Sequence, residues 1–128
     1  MSENYDILIA EDDEQISFVL QFMLEREGFS VFVAKTGQEA LDILTGLDGP
    51  PKLCLFDVMM PYVDGFQLVD YVRNTREWAS VPVVMLTAKS QEKDIIKGLE
   101  AGANDYVIKP FQPNELATRL KLLMKRAG

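Results

Sequence analysis

Short apolar runs alternate with longer amphipathic segments along the whole chain. Five of the runs have the length of a β-strand, and continuous apolar runs of this kind are typical of parallel strands covered on both faces. The predicted strands span residues 7–10, 31–34, 53–56, 83–86 and 106–108. The segments between them have the apolar spacing of helices, so the pattern predicts five strand–helix units in succession.

The predicted helices have recognisable starts and ends. The first predicted helix ends at Gly28, and a capping box formed by Thr36 and Glu39 begins the second. Asp64 can cap the third helix. Pro113 suits the first position of the fifth helix. The first helix is expected to bury one stripe, consisting of Ile16, Val19, Leu20, Met23 and Leu24.

The fourth helix has a weaker pattern. Ser90 is its predicted N-cap, and Ile96 and Leu99 are expected to face inward. Gly98 and Gly102 are interpreted as helix breakers.

These elements predict an α/β fold in one domain spanning residues 1–128. Successive strand–helix units with right-handed crossovers build an open, doubly wound parallel sheet, a (βα)5 arrangement. In such sheets, ligands bind beyond the carboxyl ends of the strands. The candidate chemistry should therefore lie where the apolar runs end.

Composition narrows the possible functions. The chain has 13 Lys and Arg, 20 Asp and Glu and no His, giving a formal net charge of −7. Without His, no Ser-His-Asp triad and no His-ligated zinc can form within the chain. The acidic balance argues against direct binding to nucleic acid or to a membrane surface. One Cys and the absence of a signal-like or membrane-spanning segment favour a reducing, cytoplasmic location.

Three carboxylates follow two of the predicted strands. Glu11 and Asp12 come directly after the first strand, and Asp57 ends the third. If these strands are neighbours, the carboxylates converge and repel one another unless a cation joins them. An oxygen-only ligand set with no His or Cys favours a hard cation, and Mg²⁺ fits.

Two further polar residues end the remaining strands of this half of the sheet. Thr87 ends the fourth strand and Lys109 follows the fifth. Phosphoryl-transfer sites can combine a carboxylate nucleophile with Mg²⁺, an ammonium group and a hydroxyl group. Asp57 is the best candidate nucleophile, because it lies opposite both Thr87 and Lys109.

The chain resembles the receiver domains of two-component response regulators over essentially all its length. The matching motifs are ILIAEDD at 7–13, DVMMP at 57–61 with DG at 64–65, LTA at 86–88 and GANDYVIKPF at 102–111. The resemblance implies strand order 2-1-3-4-5. It also implies a regulatory phosphorylation switch rather than an enzyme.

The resemblance assigns roles at the metal and phosphorylation site. Asp57 would accept a phosphoryl group from a histidine of a partner sensor kinase or phosphotransfer protein. Asp12 would bind Mg²⁺ directly and Glu11 through water, and the backbone carbonyl of Met59 would complete the protein ligands. Thr87 and Lys109 would contact the phosphoryl oxygens.

The resemblance also implies how the signal leaves the site. Tyr106 would be an aromatic switch that moves inward when Thr87 is drawn toward the phosphoryl group. Pro110 would follow a cis peptide bond that aims the lysine before it. Met59 and Lys89 would flank the path of the hydrolytic water, and because Met59 offers no hydrogen bond, a long-lived phosphoryl-aspartate is expected.

The face formed by the fourth helix, fifth strand and fifth helix is the expected output surface, for an output domain, a partner or a homodimer. Related receivers that carry DNA-binding domains pair there through charged residues. Five residues match that pattern: Glu100, Asp105, Glu115, Arg119 and Lys121. Ile95 stands where a basic residue is usual, and Asn104 replaces an acid, so the subfamily stays open.

Three other functions are compatible with parts of the pattern. A hydrolase of the haloacid dehalogenase type would need a second Asp where this chain has Met59, and a longer chain for a cap. An inert interaction module of the same fold would not need the intact site. A flavin-binding relative would need a phosphate loop after the first strand, where Glu11 and Asp12 would repel a phosphate.

Overall fold

The computed structural model describes residues 6–88 and 91–127. Within these residues, the chain forms one five-stranded parallel sheet. The strand order is β2-β1-β3-β4-β5, which confirms the expected doubly wound arrangement. The strands are β1 Ile7–Ala10, β2 Val31–Ala34, β3 Leu53–Asp57, β4 Val83–Thr87 and β5 Asp105–Ile108. Asp57 and Thr87 are the last residues of β3 and β4, as the sequence predicted.

Five helices cover both faces of the sheet. They are α1 Glu14–Arg26, α2 Gly37–Gly46, α3 Gly65–Asn74, α4 Glu92–Ala101 and α5 Pro113–Ala127. Alternate strand residues point to opposite faces. Ile7 and Ile9 pack in a core with α1 and α5, whereas Leu8 and Ala10 pack in a second core with α2, α3 and α4. The continuous apolar runs are explained by this burial on both faces.

The register of the sheet brings the strand ends to one edge. Ala10 pairs with Phe56 across β1 and β3, and Asp57 pairs with Leu86 across β3 and β4. Thr87 pairs with Ile108 across β4 and β5. The residues that follow β1, β3, β4 and β5 therefore share the carboxyl edge, as the sequence predicted.

Three of the helix starts are fixed by side-chain caps. Asp13 accepts hydrogen bonds from the backbone N–H groups of Gln15 and Ile16 at the start of α1. Asp64 forms a complete capping box with Gln67 at the start of α3. Thr36 caps α2 through the N–H of Glu39. The Glu39 carboxylate, however, accepts from the N–H of Lys35, one residue earlier than a capping box requires.

The orientation predicted for α4 is wrong. Ile96 and Leu99 are 45% and 46% exposed, whereas Ile95 packs against the core and Gly98 is buried. The helix also runs through Gly98 instead of breaking there, and ends with Gly102 as its C-cap. The physical reason is that the glycine face of α4, not its most apolar face, packs against the ring of Tyr106.

The predicted cap of α4, Ser90, lies outside the described residues, as does Lys89. The described N-cap residue is Gln91, whose side chain makes no capping hydrogen bond. In the part of the chain that the structure describes, no helix has the length and apolar character required to cross a membrane.

Helix α1 also differs from its predicted stripe. Val19 faces outward, and Ser17 takes a buried place beside Leu20 and Leu24. Burial of Ser17 is tolerated because its hydroxyl donates to the carbonyl of Glu14 and accepts from Lys35 Nζ. A hydrophobic spacing pattern cannot reveal a polar residue that is satisfied in this way.

Candidate functional site

The three predicted carboxylates converge at the carboxyl edge of the sheet. One oxygen from each of Glu11, Asp12 and Asp57 lies within 4.8 Å of the others. Glu11 and Asp57 are buried, whereas Asp12 is exposed. The carboxylates of Glu11 and Asp57 thus form the buried part of the site, and the site is open to solvent at Asp12.

Lys109 compensates the charge of the two buried carboxylates. Its Nζ lies 2.6 Å from Glu11 Oε1 and 3.0 Å from Asp57 Oδ2. The backbone N–H of Lys109 donates to the carbonyl of Thr87 at 2.8 Å, and the peptide bond from Lys109 to Pro110 is cis, as expected. Thr87 is buried at the end of β4.

Burial and charge act in opposite directions on this group of residues. Burial raises the pKa of Glu11 to about 7, even though Lys109 and the N–H of Asp13 stabilise its charged form. Burial alone would lower the pKa of Lys109, but the hydrogen bonds and charges of Glu11 and Asp57 outweigh it and raise that pKa. Lys109 is therefore a permanent cation at neutral pH.

The oxygen ligands fit a hard divalent cation. Glu11 Oε1 is buried and lies 2.6 Å from Nζ of Lys109. The lysine carries one positive charge against three carboxylates, so the charge of the cluster is not fully balanced without a further cation. Together with Asp12 and Asp57, Glu11 offers the carboxylate set that Mg²⁺ prefers.

The loop between β3 and α3 holds Asp57 from one side. The backbone N–H of Met59 donates to Asp57 Oδ1 at 3.0 Å, so the two oxygens of Asp57 are oriented by different partners. The side chain of Met59 is 59% exposed at this edge. The proposed metal contact through the carbonyl of Met59 stays a prediction.

A close backbone contact fixes the far part of this loop. Gly37, the first residue of α2, packs so tightly against the loop that an added Cβ would overlap the carbonyl oxygen of Val63. No pattern in the sequence indicates this contact, because the two residues are far apart in the chain and meet only through the fold.

Tyr106 lies inward in this structure. It is only 8% exposed and belongs to the core on the α3 and α4 side of the sheet. Burial raises its pKa, and the negative charges of Asp94 and Asp57 add to the rise. The predicted switch residue is thus within the electrostatic influence of Asp57, with its ring already in the position expected of the activated state.

The predicted output residues pair largely within the chain. Arg119 binds Asp105 at 3.2 Å and Glu115 at 3.0 Å. Lys121 pairs with Glu27, the C-cap residue of α1. These ion pairs are exposed to solvent, so exchanging partners changes the free energy little.

Asn104 has a structural role that the sequence analysis missed. Its Oδ1 accepts from the N–H of Val83 and from Arg73, and the same guanidinium donates to the carbonyls of Val81 and Gly102. Asn104, which replaces an acid at the predicted output face, therefore makes hydrogen bonds within the domain.

Helix α1 carries an exposed apolar patch that was also missed. It consists of Phe18, Val19 and Phe22, with Phe18 being 70% exposed and Arg26 lying over the ring of Phe22. The signal was present in the sequence as two aromatic residues at i and i+4 that lie off the buried stripe.

Comparison with known proteins agrees with the geometry. Residues 7–121 match the model of the response regulator receiver domain. The transcriptional regulatory proteins ResD of Bacillus subtilis (strain 168) and CpxR of Escherichia coli (strain K12) are 41% and 42% identical, over 95% and 94% of this chain. The alignments cover 49% and 50% of those proteins, so the chain spans about half the length of these relatives.

A solved structure is similar throughout. The receiver domain of the Francisella response regulator 1452 superposes with a TM-score of 0.85 at 34% identity, covering 98% of this chain and all of that one. Sequence, fold and the family model thus agree over the same region. The chain therefore belongs to the receiver domains of response regulators, the phosphorylation-controlled switches of two-component signalling.

Proposed function

We propose that residues 1–128 form a single receiver domain in which Asp57 is the phosphorylated residue and Mg²⁺ is the cofactor. The observation that carries the proposal is the contact of one partly buried lysine, Lys109, with both Glu11 and Asp57. An ammonium group between two carboxylates is suited to neutralise an anion that arrives beside them. Receivers are regulatory, and the chemistry proposed here modifies the domain itself.

The chain's own residues can support the transfer. A carboxylate oxygen of Asp57 attacks phosphorus, the bond from phosphorus to the donor nitrogen breaks, and the imidazole keeps the electron pair. Lys109 and the hydroxyl of Thr87 bind oxygens of the transferred group. Mg²⁺, held by Glu11, Asp12, Asp57 and the carbonyl of Met59, would supply further neutralisation of the phosphoryl oxygens.

The phosphoryl donor must come from outside the domain, because the chain has no histidine. A sensor histidine kinase or a phosphotransfer protein fits this need. The exposed patch of Phe18, Val19 and Phe22 lies on α1, whose cap residue Asp13 directly follows Asp12. An apolar surface on the helix that begins at the site is suited to hold the donor protein while its histidine reaches Asp57.

The output is proposed to leave through α4, β5 and α5. Phosphorylation of Asp57 adds about one negative charge, and a hydrogen bond from Thr87 to a charged oxygen is worth about 1.5–3 kcal/mol. That energy shifts a two-state equilibrium ten-fold or more. The carbonyl of Thr87 accepts from the N–H of Lys109, which directly follows the strand that carries Tyr106, so the face around β5 is reached first.

Acetyl phosphate with Mg²⁺ tests the phosphorylation site. Intact-protein and peptide mass spectrometry should place one phosphoryl group on Asp57, and Asp57→Asn should remove it. Asp64→Asn is the matched control, because Asn caps helices as well as Asp and the charge change is the same. Labelling at another residue would reject Asp57, and no labelling at all would favour an inert interaction module.

Amide hydrogen exchange tests the output surface. Beryllofluoride with Mg²⁺ should change exchange most within residues 87–121, and weak dimers should be visible by analytical ultracentrifugation if the face pairs with itself. Changes confined to α1 and α2 would show that the output leaves by another surface.

A further inference from the structure

Helix α4 has a glycine in its middle, where other residues are better helix formers. Gly98 is the buried residue of this helix, with two apolar neighbours in sequence, Ile96 and Leu99, left exposed. Glycine is the least favourable helix-interior residue after proline. A packing requirement on the inward face of α4 would explain why this position is small.

The ring of Tyr106 fills the space that a side chain at Gly98 would need. A Cβ built at Gly98 would lie 2.8 Å from Cδ2 and 3.0 Å from Cε2 of Tyr106, and 3.1 Å from Sδ of Met85. The first distance is shorter than carbon atoms tolerate. The inward position of Tyr106 and a methyl group at position 98 are therefore incompatible without a movement.

The ring can move more easily than the helix. Tyr106 is on β5, the edge strand of the sheet, so the ring can rotate past that edge into solvent. The C-terminal end of α4 is restrained, because Arg73 Nε donates to the carbonyl of Gly102 at 2.8 Å, and Ile95 packs against the core. An added methyl group should thus displace the ring.

We propose that Gly98 is a positioning residue that admits Tyr106 to its inward position, and that the residue at 98 sets the balance between inward and outward rings. The balance between inward and outward rings matters for the site because Tyr106 is three residues before Lys109, which contacts Asp57 at 3.0 Å. The proposed effect of residue 98 on activation rests on the proposed phosphorylation of Asp57. The proposed effect of residue 98 on the position of the Tyr106 ring does not depend on phosphorylation.

The ring position is tested first, without any phosphoryl group. Protein labelled with 3-fluorotyrosine should give one buried ¹⁹F signal that Tyr106→Phe removes. Gly98→Ala should move this signal to a solvent-exposed position, as shown by the shift between H₂O and D₂O. Gly46→Ala, a helix glycine with no atom within 4 Å of an added Cβ, is the control and should change nothing. A Tyr106 signal that stays buried in Gly98→Ala overturns the proposal.

The second test is a double-mutant cycle on beryllofluoride binding with Mg²⁺. Gly98→Ala should weaken the apparent affinity about ten-fold, because only the inward fraction is competent. In the Tyr106→Leu background, where the ring is absent, the same change should have an effect of less than about two-fold. Equal effects in both backgrounds would show that Gly98 acts on α4 alone. Failure of the unsubstituted protein to bind beryllofluoride would instead reject the proposed function, leaving the ¹⁹F result to decide this inference.

Discussion

Lys109 Nζ donates a hydrogen bond of 3.0 Å to Asp57 Oδ2 across the end of the intervening strand β4. The same nitrogen contacts Glu11 at 2.6 Å. The lysine therefore holds together two acidic residues from β3 and from the end of β1. We expect the Lys109 ammonium group to stabilise the fold by pairing with these two carboxylates, and to bind the phosphoryl group if Asp57 is phosphorylated.

Loss of this cation should destabilise the protein. We expect Lys109→Met to lower the free energy of unfolding by about 2–4 kcal/mol, because two buried carboxylates lose their partner. Mg²⁺ should recover part of that loss and bind more tightly than to the unsubstituted protein. Urea unfolding with and without Mg²⁺ measures both effects.

Lys52→Met is the control for this experiment. Lys52 pairs with Asp6 at 3.3 Å on the surface, and such pairs contribute about 0–1 kcal/mol. An equal loss of stability in the two variants would contradict the role given to Lys109.

Mg²⁺ affinity should depend on Asp12 but not on its neighbour. Asp12→Asn removes a carboxylate of the proposed metal site, so calorimetric titration should show affinity reduced about ten-fold or more. Asp13→Asn removes the same charge one residue later, where Asn still caps α1. Similar weakening by both substitutions would indicate that Mg²⁺ senses only the general negative charge.

Gly37 should control the shape of the loop that carries Met59. Gly37→Ala forces a methyl group against the carbonyl of Val63, so the loop must shift and the N–H of Met59 should lose its contact with Asp57. We expect Mg²⁺ affinity to fall at least five-fold at temperatures well below unfolding. Gly46→Ala, on the same helix with open space around it, should leave the affinity unchanged.

Met59 should lengthen the lifetime of the phosphoryl-aspartate. Its side chain is exposed at the site and cannot orient a water molecule by hydrogen bonding. We expect Met59→Asn to speed dephosphorylation several-fold in the purified domain. Tyr62→Asn is the control, because Tyr62 is exposed in the same loop and its left-handed backbone tolerates Asn. Decay of the unsubstituted protein within seconds would contradict the expectation.

Cys54 should be unreactive in the folded protein. It is fully buried in β3, and burial raises its pKa to about 12. The thiol then stays protonated well above the pH at which an unfolded chain ionises, so it contributes stability below about pH 9 that is lost as the pH rises toward 12. A disulfide exchange reagent at pH 8 should label it only after denaturation. Rapid labelling of native protein would show that β3 is accessible.

The order of apolar runs was sufficient to predict a doubly wound parallel sheet, whereas the strand order came from the resemblance to receiver domains. Each strand of a doubly wound sheet is buried on both faces, and that burial is visible in single residues such as Ile9 and Leu55. The meeting of Glu11, Asp12 and Asp57 was predicted on the condition that the first and third strands are neighbours, and β1 does pair with β3.

Contacts between surfaces could not be predicted in the same way. The orientation of α4 depends on whether Gly98 or Leu99 meets Tyr106, and helix periodicity favours the larger apolar residue. Gly37 meets Val63 only after α2 and the β3–α3 loop have both been placed. Such contacts are properties of packed pairs of elements, and a pattern read along one element does not contain them.

The guanidinium of Arg73 has a mechanical consequence for α4. It fastens the C-terminal end of that helix through Gly102 and joins it to the residues before β4, whereas Gln91 at the opposite end provides no side-chain cap. A helix that is restrained at its C-terminal end and has no side-chain cap at its N-terminal end is expected to rotate about the restrained end. Displacement of α4 should therefore be an angular movement with its pivot at Gly102 and its largest sweep next to Thr87, where the phosphoryl group would act.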